Sequence, residues 1–497
     1  MTGKVWLVGA GPGDAGLLTL RGKQVLEQAE VVVYDALISP GVLGLIPDAA
    51  RVVYAGKRAG NHTLPQEEIN RILLEEAQQG RRVVRLKGGD PFLFGRGGEE
   101  LEALSAHGIP FEVVPGVTSA LAVPAYAGIP VTYRGTSAGV HILTGHRRDD
   151  GALDINFRAL SEIGGTLIFL MGVATLPEIV GGLLGAGMSP DTPAAVLERG
   201  TTATQRRISA PLSELETVCA RPPAVIVVGE VCALADKFAW YEKRPLSGVR
   251  VLVTRPKEAG SVLSELLRRD GAEVIELPAI VTTPIDGNPA LAESIRLLQQ
   301  GAYDWLVFTS PRGVEVFFGR MLELADIRAL GGVRVAAIGE GTRKALARYG
   351  VRADFLPSVY DAETLGRELA QVCAENARIL IPRARAGTPA LIRALQRGGR
   401  SQITDLPIYD TTYAASRLVD EKGMLERGDI DFAVFTSAST VRGFAAAVGD
   451  FDFSKVRAVC IGEQTRAAAC EYGMRTWVSE RATLESLAEC VRAAARG

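Results

Sequence analysis

The 497-residue chain has little cysteine and histidine, six and four residues. The cysteines (219, 232, 373, 460, 470 and 490) are scattered, without a Cys-x-x-Cys pair, and the histidines show no metal-ligand spacing. These absences argue against a disulfide framework and a zinc site, and favour a reducing cytoplasm. An excess of one charge sign is also missing. Lys and Arg number 55 against 57 Asp and Glu, for a net charge of −2, which argues against a nucleic-acid protein. No long uncharged apolar run is available to span a membrane, and Met1-Thr2-Gly3-Lys4-Val5 leads into a strand without a signal peptide.

What is present is ordinary for a globular protein: 47% hydrophobic and 23% charged residues, in a length suited to three or four domains. Short apolar strands (Val31–Tyr34, Val83–Leu86, Leu167–Leu170, Val225–Val228, Val249–Val253, Trp305–Phe308) alternate with amphipathic helical runs, so the class is α/β. Charge, proline and glycine at Trp240–Gly248 read as a break, with a linker over 242–248. Beyond it the chain repeats itself. Trp305-Leu-Val-Phe-Thr-Ser310 returns as Phe432-Ala-Val-Phe-Thr-Ser437, and Val335-Ala-Ala-Ile-Gly-Glu340 as Ala458-Val-Cys-Ile-Gly-Glu463. Ligands of paired α/β units usually sit in the cleft at the strand ends, which places Thr309, Ser310, Thr436 and Ser437 as candidates.

The first residues imitate a dinucleotide fingerprint. Gly11-Pro12-Gly13-Asp14-Ala15-Gly16 fits G-x-G-x-x-G after an apolar strand, and Asp35 lies about twenty residues on. The chemistry is wrong for a pyrophosphate. Pro12 lacks a donor and restricts Gly11, while Asp14 brings a carboxylate to the phosphate position. The following helix is expected to open near Leu17 or Leu18 with Asp14 as its cap, so the loop suits a neutral or cationic ligand. Three further loops carry more glycine, proline and charge than connectors need: Arg85–Glu100, Pro115–Ser119 and Arg199–Arg206. Gly88 and Gly89 allow close backbone approach, and Asp90 is held extended before Pro91. Arg96 and Glu99 stand at a helix entry, where Glu99 also serves the helix N-terminus, and Thr118 or Ser119 serves equally as a helix cap.

Val5-Trp-Leu-Val-Gly-Ala-Gly-Pro-Gly-Asp14, Val33-Tyr-Asp35, Gly56-Lys-Arg-Ala-Gly60, Leu86-Lys-Gly-Gly-Asp-Pro91, Pro115-Gly-Val-Thr-Ser119, Leu170-Met-Gly172 and Gly200-Thr-Thr202 resemble uroporphyrinogen-III C-methyltransferase over about residues 3–240. The resemblance implies S-adenosylmethionine bound between two α/β lobes, 1–117 and 118–241, in a homodimer formed through this half. It implies cofactor contacts at Pro12, Gly88, Gly89, Asp90, Leu93, Thr118, Ser119, Met171 and Gly200. It gives Asp35 and Lys57 as an acid–base pair, Asp35 as general base and Lys57 as proton partner or as a binder of a substrate carboxylate. Arg58, Arg85 and Arg96 are candidates for the remaining carboxylates, with Glu99 beside them, because Arg grips carboxylates bidentately. Tyr133 departs from the family, which commonly has His there. No dehydrogenase and ferrochelatase domain precedes the first strand, so the expected product is precorrin-2, on the way to siroheme or cobalamin.

In the second half, Val251-Leu-Val-Thr-Arg-Pro256, Phe308-Thr-Ser-Pro-Arg-Gly313, Ala337-Ile-Gly339, Leu406-Pro-Ile-Tyr409 and Phe435-Thr-Ser437 resemble uroporphyrinogen-III synthase over about residues 248–497. The implied fold is a two-lobed tetrapyrrole-methylase fold followed by a duplicated two-domain α/β synthase fold, its domains at 249–285 plus 408–497 and at 286–407. The implied reaction closes hydroxymethylbilane with inversion of the last ring, without cofactor or metal. Tyr409 matches the proposed proton donor to the leaving hydroxyl, with a half-buried hinge aromatic as its structural alternative. Thr254, Arg255, Thr309, Ser310, Ser437 and Thr465 are candidate carboxylate contacts, Thr465 being equally a helix-start residue. The expected protein is a cytoplasmic bifunctional enzyme. Two other readings stand: a methylase with a non-catalytic C-terminal binding or regulatory module, and a nicotinamide oxidoreductase fused to a sensor.

Overall fold

The computed structural model describes residues 3–56, 64–147, 151, 153–254, 262–277, 279–399, 401–413 and 418–497. Four five-stranded sheets organise the chain. The first holds β1 (Lys4–Gly9), β2 (Val31–Tyr34), β3 (Arg51–Tyr54), β4 (Arg82–Lys87) and β5 (Phe111–Val114) in the order β3-β2-β4-β1-β5, all parallel. β2 is buried throughout, as a parallel strand covered on both faces requires. The second sheet holds β6 (Val140–Thr144), β7 (Thr166–Leu170), β8 (Pro193–Glu198), β9 (Arg206–Pro211) and β10 (Ala224–Val228) in the order β6-β7-β10-β8-β9. Only β6 and β7 run parallel within it.

β11 (Arg250–Val253) and β12 (Glu273–Glu276) begin the third sheet. The chain then builds the fourth from β13 (Ile280–Pro284), β14 (Trp305–Phe308), β15 (Arg334–Ala337), β16 (Arg378–Ala384) and β17 (Gln402–Tyr413). It returns with β18 (Phe432–Phe435), β19 (Arg457–Cys460) and β20 (Arg475–Val478) to complete the third. The duplication is visible in the strand order: β12-β11-β18-β19 in one sheet stands where β17-β16-β14-β15 stands in the other. Each sheet adds one strand without a counterpart in the other: β13, an antiparallel edge on β17, and β20, a parallel edge on β19. The crossings between these sheets therefore fall just before Ile280 and after Tyr413, whereas the sequence divided the units at 285 and 408.

The segment read as a linker is packed. Tyr241 and Leu246 are buried, Leu246 within the apolar cluster of the third sheet. The Arg244 guanidinium lies 4.4 Å over the Trp240 ring and donates to Arg268 O at 3.2 Å. Its polar composition is real, but two apolar anchors among the charges fix it.

Candidate active sites

In the first half, β1, β4 and β5 end side by side, and their loops knit through backbone. Gly11 N donates to Gly89 O at 3.2 Å, and Gly89 N to Gly11 O at 2.8 Å. Gly9 and Gly116 pack main chain against main chain: a Cβ on Gly9 would stand 2.4 Å from Gly116 Cα, and one on Gly116 2.1 Å from Gly89 O. Asp90 ties the loops further. Its Oδ2 accepts from Gly116 N at 3.0 Å, and its Oδ1 from Phe92 N at 2.9 Å and Leu93 N at 3.3 Å. This carboxylate is occupied with shaping the loop. Gly89 is different: its φ is +67°, and a Cβ there would meet nothing nearer than Ser119 N at 3.9 Å, with Thr118 Cα at 4.0 Å. The floor above Gly89 is therefore open, bordered by Thr118 and Ser119, whereas a Cβ on Gly88 would press on Leu37 Cβ at 3.1 Å. Thr118 Oγ1 accepts from Ala120 N at 3.2 Å, so it caps the helix Ser119–Tyr126 as well as lining this floor.

The first loop offers no helix N-terminus to a phosphate. Asp14 caps a single 3-10 turn, Ala15–Leu17, with Oδ1 accepting from Gly16 N at 2.8 Å. The α-helix opens later than expected, at Leu20–Glu27, because Thr19 Oγ1 takes Gly22 N at 3.1 Å. The other oxygen of Asp14 accepts from Tyr126 Oη at 2.9 Å, so the carboxylate clamps the two lobes together. Burial and the Asp14 charge push the Tyr126 phenol well above the usual range.

Pro12-Gly13 meets the second lobe at the loop after β8, where a Cβ on Gly13 would lie 2.9 Å from Thr201 Oγ1 and 3.5 Å from Gly200 O. Gly200 is pressed on helix Ser119–Tyr126, with only 2.3 Å between a Cβ and Val123 Cγ1. Its neighbours Arg199 (φ +45°) and Thr201 (φ +67°) are left-handed, as is Met171 (φ +56°) after β7. Such backbone costs about 1–3 kcal/mol per residue and persists where the surroundings fix it. Met171 is 52% exposed despite its apolar side chain. Leu93 packs in part against the second-lobe core.

Asp35 stands at the end of β2 in a buried ion network. Arg85 Nη2 donates to Asp35 Oδ1 at 2.7 Å, and Arg85 Nε to Glu100 Oε1 at 2.9 Å. Lys87 Nζ donates to the same Glu100 oxygen at 2.9 Å. Glu100 is fully buried and its Oε2 has no partner among the described residues. Burial opposes the charge on Arg85, but Glu100 and Asp35 outweigh it and hold the guanidinium above its ordinary value. Burial and then the Arg85 charge push Lys87 down. Arg85 is thereby removed as a substrate contact: Nη1 donates to Val33 O and Leu86 O, and its other donors serve the two carboxylates. It positions Asp35. Arg96 and Glu99 form an exposed pair at 2.6 Å, Arg96 with a φ of +56°. Tyr133 is exposed, 6.2 Å from the Phe238 ring. Lys57, Arg58 and Arg255 lie outside the described residues.

Glu100 and Lys87 were missed from sequence. The signal was Arg85 and Lys87 at alternate positions of a strand that is apolar between them and at Val83 and Val84. Both side chains then share one face of a buried parallel sheet and demand a buried acid.

In the second half, the Tyr409 ring is buried in the fourth sheet's core and its hydroxyl lies 2.9 Å from Ser310 Oγ. Burial raises this phenol, against the opposing Ser310 hydrogen bond and Arg312 charge. Ser310 caps Pro311–Leu324, accepting from Gly313 N at 2.9 Å, and Thr309 beside it is half-buried. Ser437 holds the equivalent cap of Ala438–Val448. Two expected carboxylate contacts are unsuited. Thr254 is buried and its hydroxyl donates to Val434 O at 3.0 Å, joining β11 to β18. Thr465 is buried in the first turn of Glu463–Glu471. Among the described residues, no group of His, Cys, Asp or Glu could hold a metal, and no helix is long and apolar enough to cross a membrane.

The family of tetrapyrrole (corrin/porphyrin) methylases matches residues 4–216, and that of uroporphyrinogen-III synthase HemD matches residues 261–489. The two halves define a bifunctional enzyme of tetrapyrrole biosynthesis, a methyltransferase joined to a uroporphyrinogen-III synthase. The porphyrin biosynthesis protein HemD of Ruminiclostridium josui is 43% identical over 490 residues, 98% of this chain and 97% of that one, and this chain belongs to its family. The siroheme synthase of Edwardsiella ictaluri is 53% identical over 241 residues, 48% of this chain and 52% of that protein, so the chain spans about half the length of such relatives. The uroporphyrin-III C-methyl transferase of Thermus thermophilus, solved with S-adenyl homocysteine, is 44% identical, with a TM-score of 0.41, over 46% of this chain and 93% of that one.

Proposed function

We propose that the C-terminal half closes hydroxymethylbilane to uroporphyrinogen III and that the N-terminal half methylates this product twice to precorrin-2, towards siroheme or cobalamin. The observation that carries the reading is the succession of the two families along one chain, with a single relative covering both. A homodimer through the methylase half and a cytoplasmic location belong to the same proposal.

The open floor at Gly89, where a side chain would otherwise stand, fits a bound S-adenosylmethionine. The residues to hold it are Pro12, Gly88, Gly89, Leu93, Thr118, Ser119, Met171 and Gly200, with Asp90 shaping their loop. When bound, this group supplies an electrophilic methyl on sulfur, leaving as a neutral thioether. Asp35 takes the proton that the pyrrole nitrogen must lose after its ring carbon is alkylated. Arg85 fixes one oxygen of Asp35 and leaves the other, unpartnered among the described residues, for that transfer. Lys57 serves as proton partner or carboxylate binder. Alignment of the reacting atoms supplies most of the rate.

In the synthase half, Tyr409 and Ser310 form a donor pair beside the helix N-terminus, suited to protonating the departing hydroxyl so that it leaves as water. The cleft then directs closure to the substituted carbon.

One incubation tests both halves: hydroxymethylbilane with and without S-adenosylmethionine, followed by identification of the tetrapyrroles. Type III isomer without the donor and dimethylated product with it are expected. Type I isomer alone refutes the synthase assignment, and unmethylated type III isomer with the donor present refutes the methylase one.

A further inference from the structure

The junction between the halves is a packed interface. Helix Pro40–Leu43 of the methylase half lies on β12, the edge strand of the third sheet. Glycine permits the approach: Cβ atoms on Gly41 and Gly44 would stand 3.4 Å from Val274 O and 3.1 Å from Glu276 O. Ile38, Val42, Leu43 and Ile46 share one apolar cluster with Leu252, Ile275 and Leu277. A polar bond also crosses the junction. Glu273 Oε2, on β12, accepts from Ala203 N at 2.8 Å, in the loop that carries Gly200. The same carboxylate accepts from Arg250 Nη2 at 3.0 Å, and both side chains are mostly buried.

That loop is strained at Arg199 and Thr201, so its shape depends on what holds it. Thr201 Oγ1 accepts from Asp14 N at 3.1 Å, and Thr201 N donates to Gln205 Oε1 at 2.8 Å. The bond from Ala203 N is charge-assisted and anchored in the other enzyme. We infer that Glu273, a residue of the synthase half, is a positioning residue for methyl-donor binding in the methylase half, holding the 199–203 loop in its strained form. This rests on the reading of Gly200 as part of the S-adenosylmethionine site. Glu273 touches no reacting atom. It acts through the loop, so it sets affinity for the donor and leaves the chemical step alone.

The test uses the full chain with Glu273→Ala, Glu273→Asp and Glu273→Gln. Each is titrated calorimetrically with S-adenosylhomocysteine and assayed for hydroxymethylbilane closure. Glu273→Ala is expected to bind about tenfold more weakly, the loss of one charged hydrogen bond. It should also raise KM for S-adenosylmethionine with kcat at saturation unchanged. Glu273→Asp, its carboxylate withdrawn by one methylene, should also bind more weakly. Glu273→Gln keeps an acceptor oxygen and should stay within about threefold of wild type. Closure of hydroxymethylbilane should be unaltered in all three. Wild-type affinity in a folded Glu273→Ala variant overturns the inference. So does parallel loss of both activities, which would make Glu273 a general support. If Glu273→Ala does not fold, an unchanged affinity in Glu273→Asp overturns it. A wild-type chain without affinity for S-adenosylhomocysteine refutes the underlying site reading instead, and the inference with it.

Discussion

Glu100→Gln is the sharpest perturbation of the methylase half. In the native chain Asp35, Arg85, Glu100 and Lys87 balance as two anions and two cations, with Arg85, Lys87 and Glu100 buried. The amide keeps the shape and one acceptor oxygen but leaves two buried cations facing one carboxylate. Removing one partner of a buried ion pair costs about 3–5 kcal/mol. For a half of about 240 residues this lowers the melting temperature by about 10 °C. A pH signature accompanies the loss. Glu100 is the largest influence keeping the proton on Lys87, so the amine falls further below its usual 10.5 in the variant. Between that lowered value and 10.5 the unfolded chain holds more protons than the folded one, and stability rises with pH. The deficit at pH 7 should therefore shrink towards pH 10. Scanning calorimetry from pH 7 to 10, with methyl transfer measured in parallel, checks this. Arg85 will hold Asp35 less firmly, so kcat for methylation should fall about tenfold, with little change in KM for the donor. A variant melting within about 2 °C of wild type at every pH would refute the reasoning, because the network would then carry no net charge balance.

Asp35→Asn should bind S-adenosylhomocysteine as wild type does yet methylate at least about 100-fold more slowly; near-normal turnover would remove Asp35 as the base. Gly9→Ala drives a Cβ into Gly116 backbone and should lower the methylase melting temperature by several degrees, whereas Gly98→Ala, with nothing within 4 Å, should leave it equal or raised; equal behaviour of the two by calorimetry would contradict the three-loop packing. Glu112, held down to about 2 by hydrogen bonds from Lys4 first and also from Arg21 and Trp6, stabilises the fold above about pH 4.5 and loses that contribution as pH falls towards 2. Glu112→Gln should accordingly melt below wild type at pH 7, with the gap closing near pH 2.

The repeat at Phe308 and Phe435 was legible because buried strands and helix caps leave dense local signals, and the matching strand orders follow from it. The glycine loop was legible in its chemistry but less so in its geometry. Asp14 was read beside the ligand, yet it turns to Tyr126, a partner 112 residues away. Gly88 and Gly89 were read as close approach to a ligand, whereas nothing in the sequence marked Gly9 and Gly116, which make room for each other. Arg85 looked like a carboxylate grip because nothing local reveals that Asp35 and Glu100 meet it. Long-range charge pairing has no period in a sequence. The packing of the Trp240–Gly248 stretch was hidden for a related reason: composition records its charges, whereas Tyr241 and Leu246 acquire meaning only from the surfaces they meet.

The covered edge of β12 bears on how this chain can be cut or rearranged. A sheet edge with free carbonyls and apolar flanks invites pairing with another strand, and proteins screen such edges with charge, proline or a covering element. β12 relies on the methylase half for that screen, through Gly41 and Gly44. A synthase fragment beginning near Val249 would bare the Val274 and Glu276 carbonyls together with Ile275 and Leu277. Its first hazard would be aggregation, ahead of any loss of catalysis. Fusion thus acts on this protein as a built-in chaperone for its own second half.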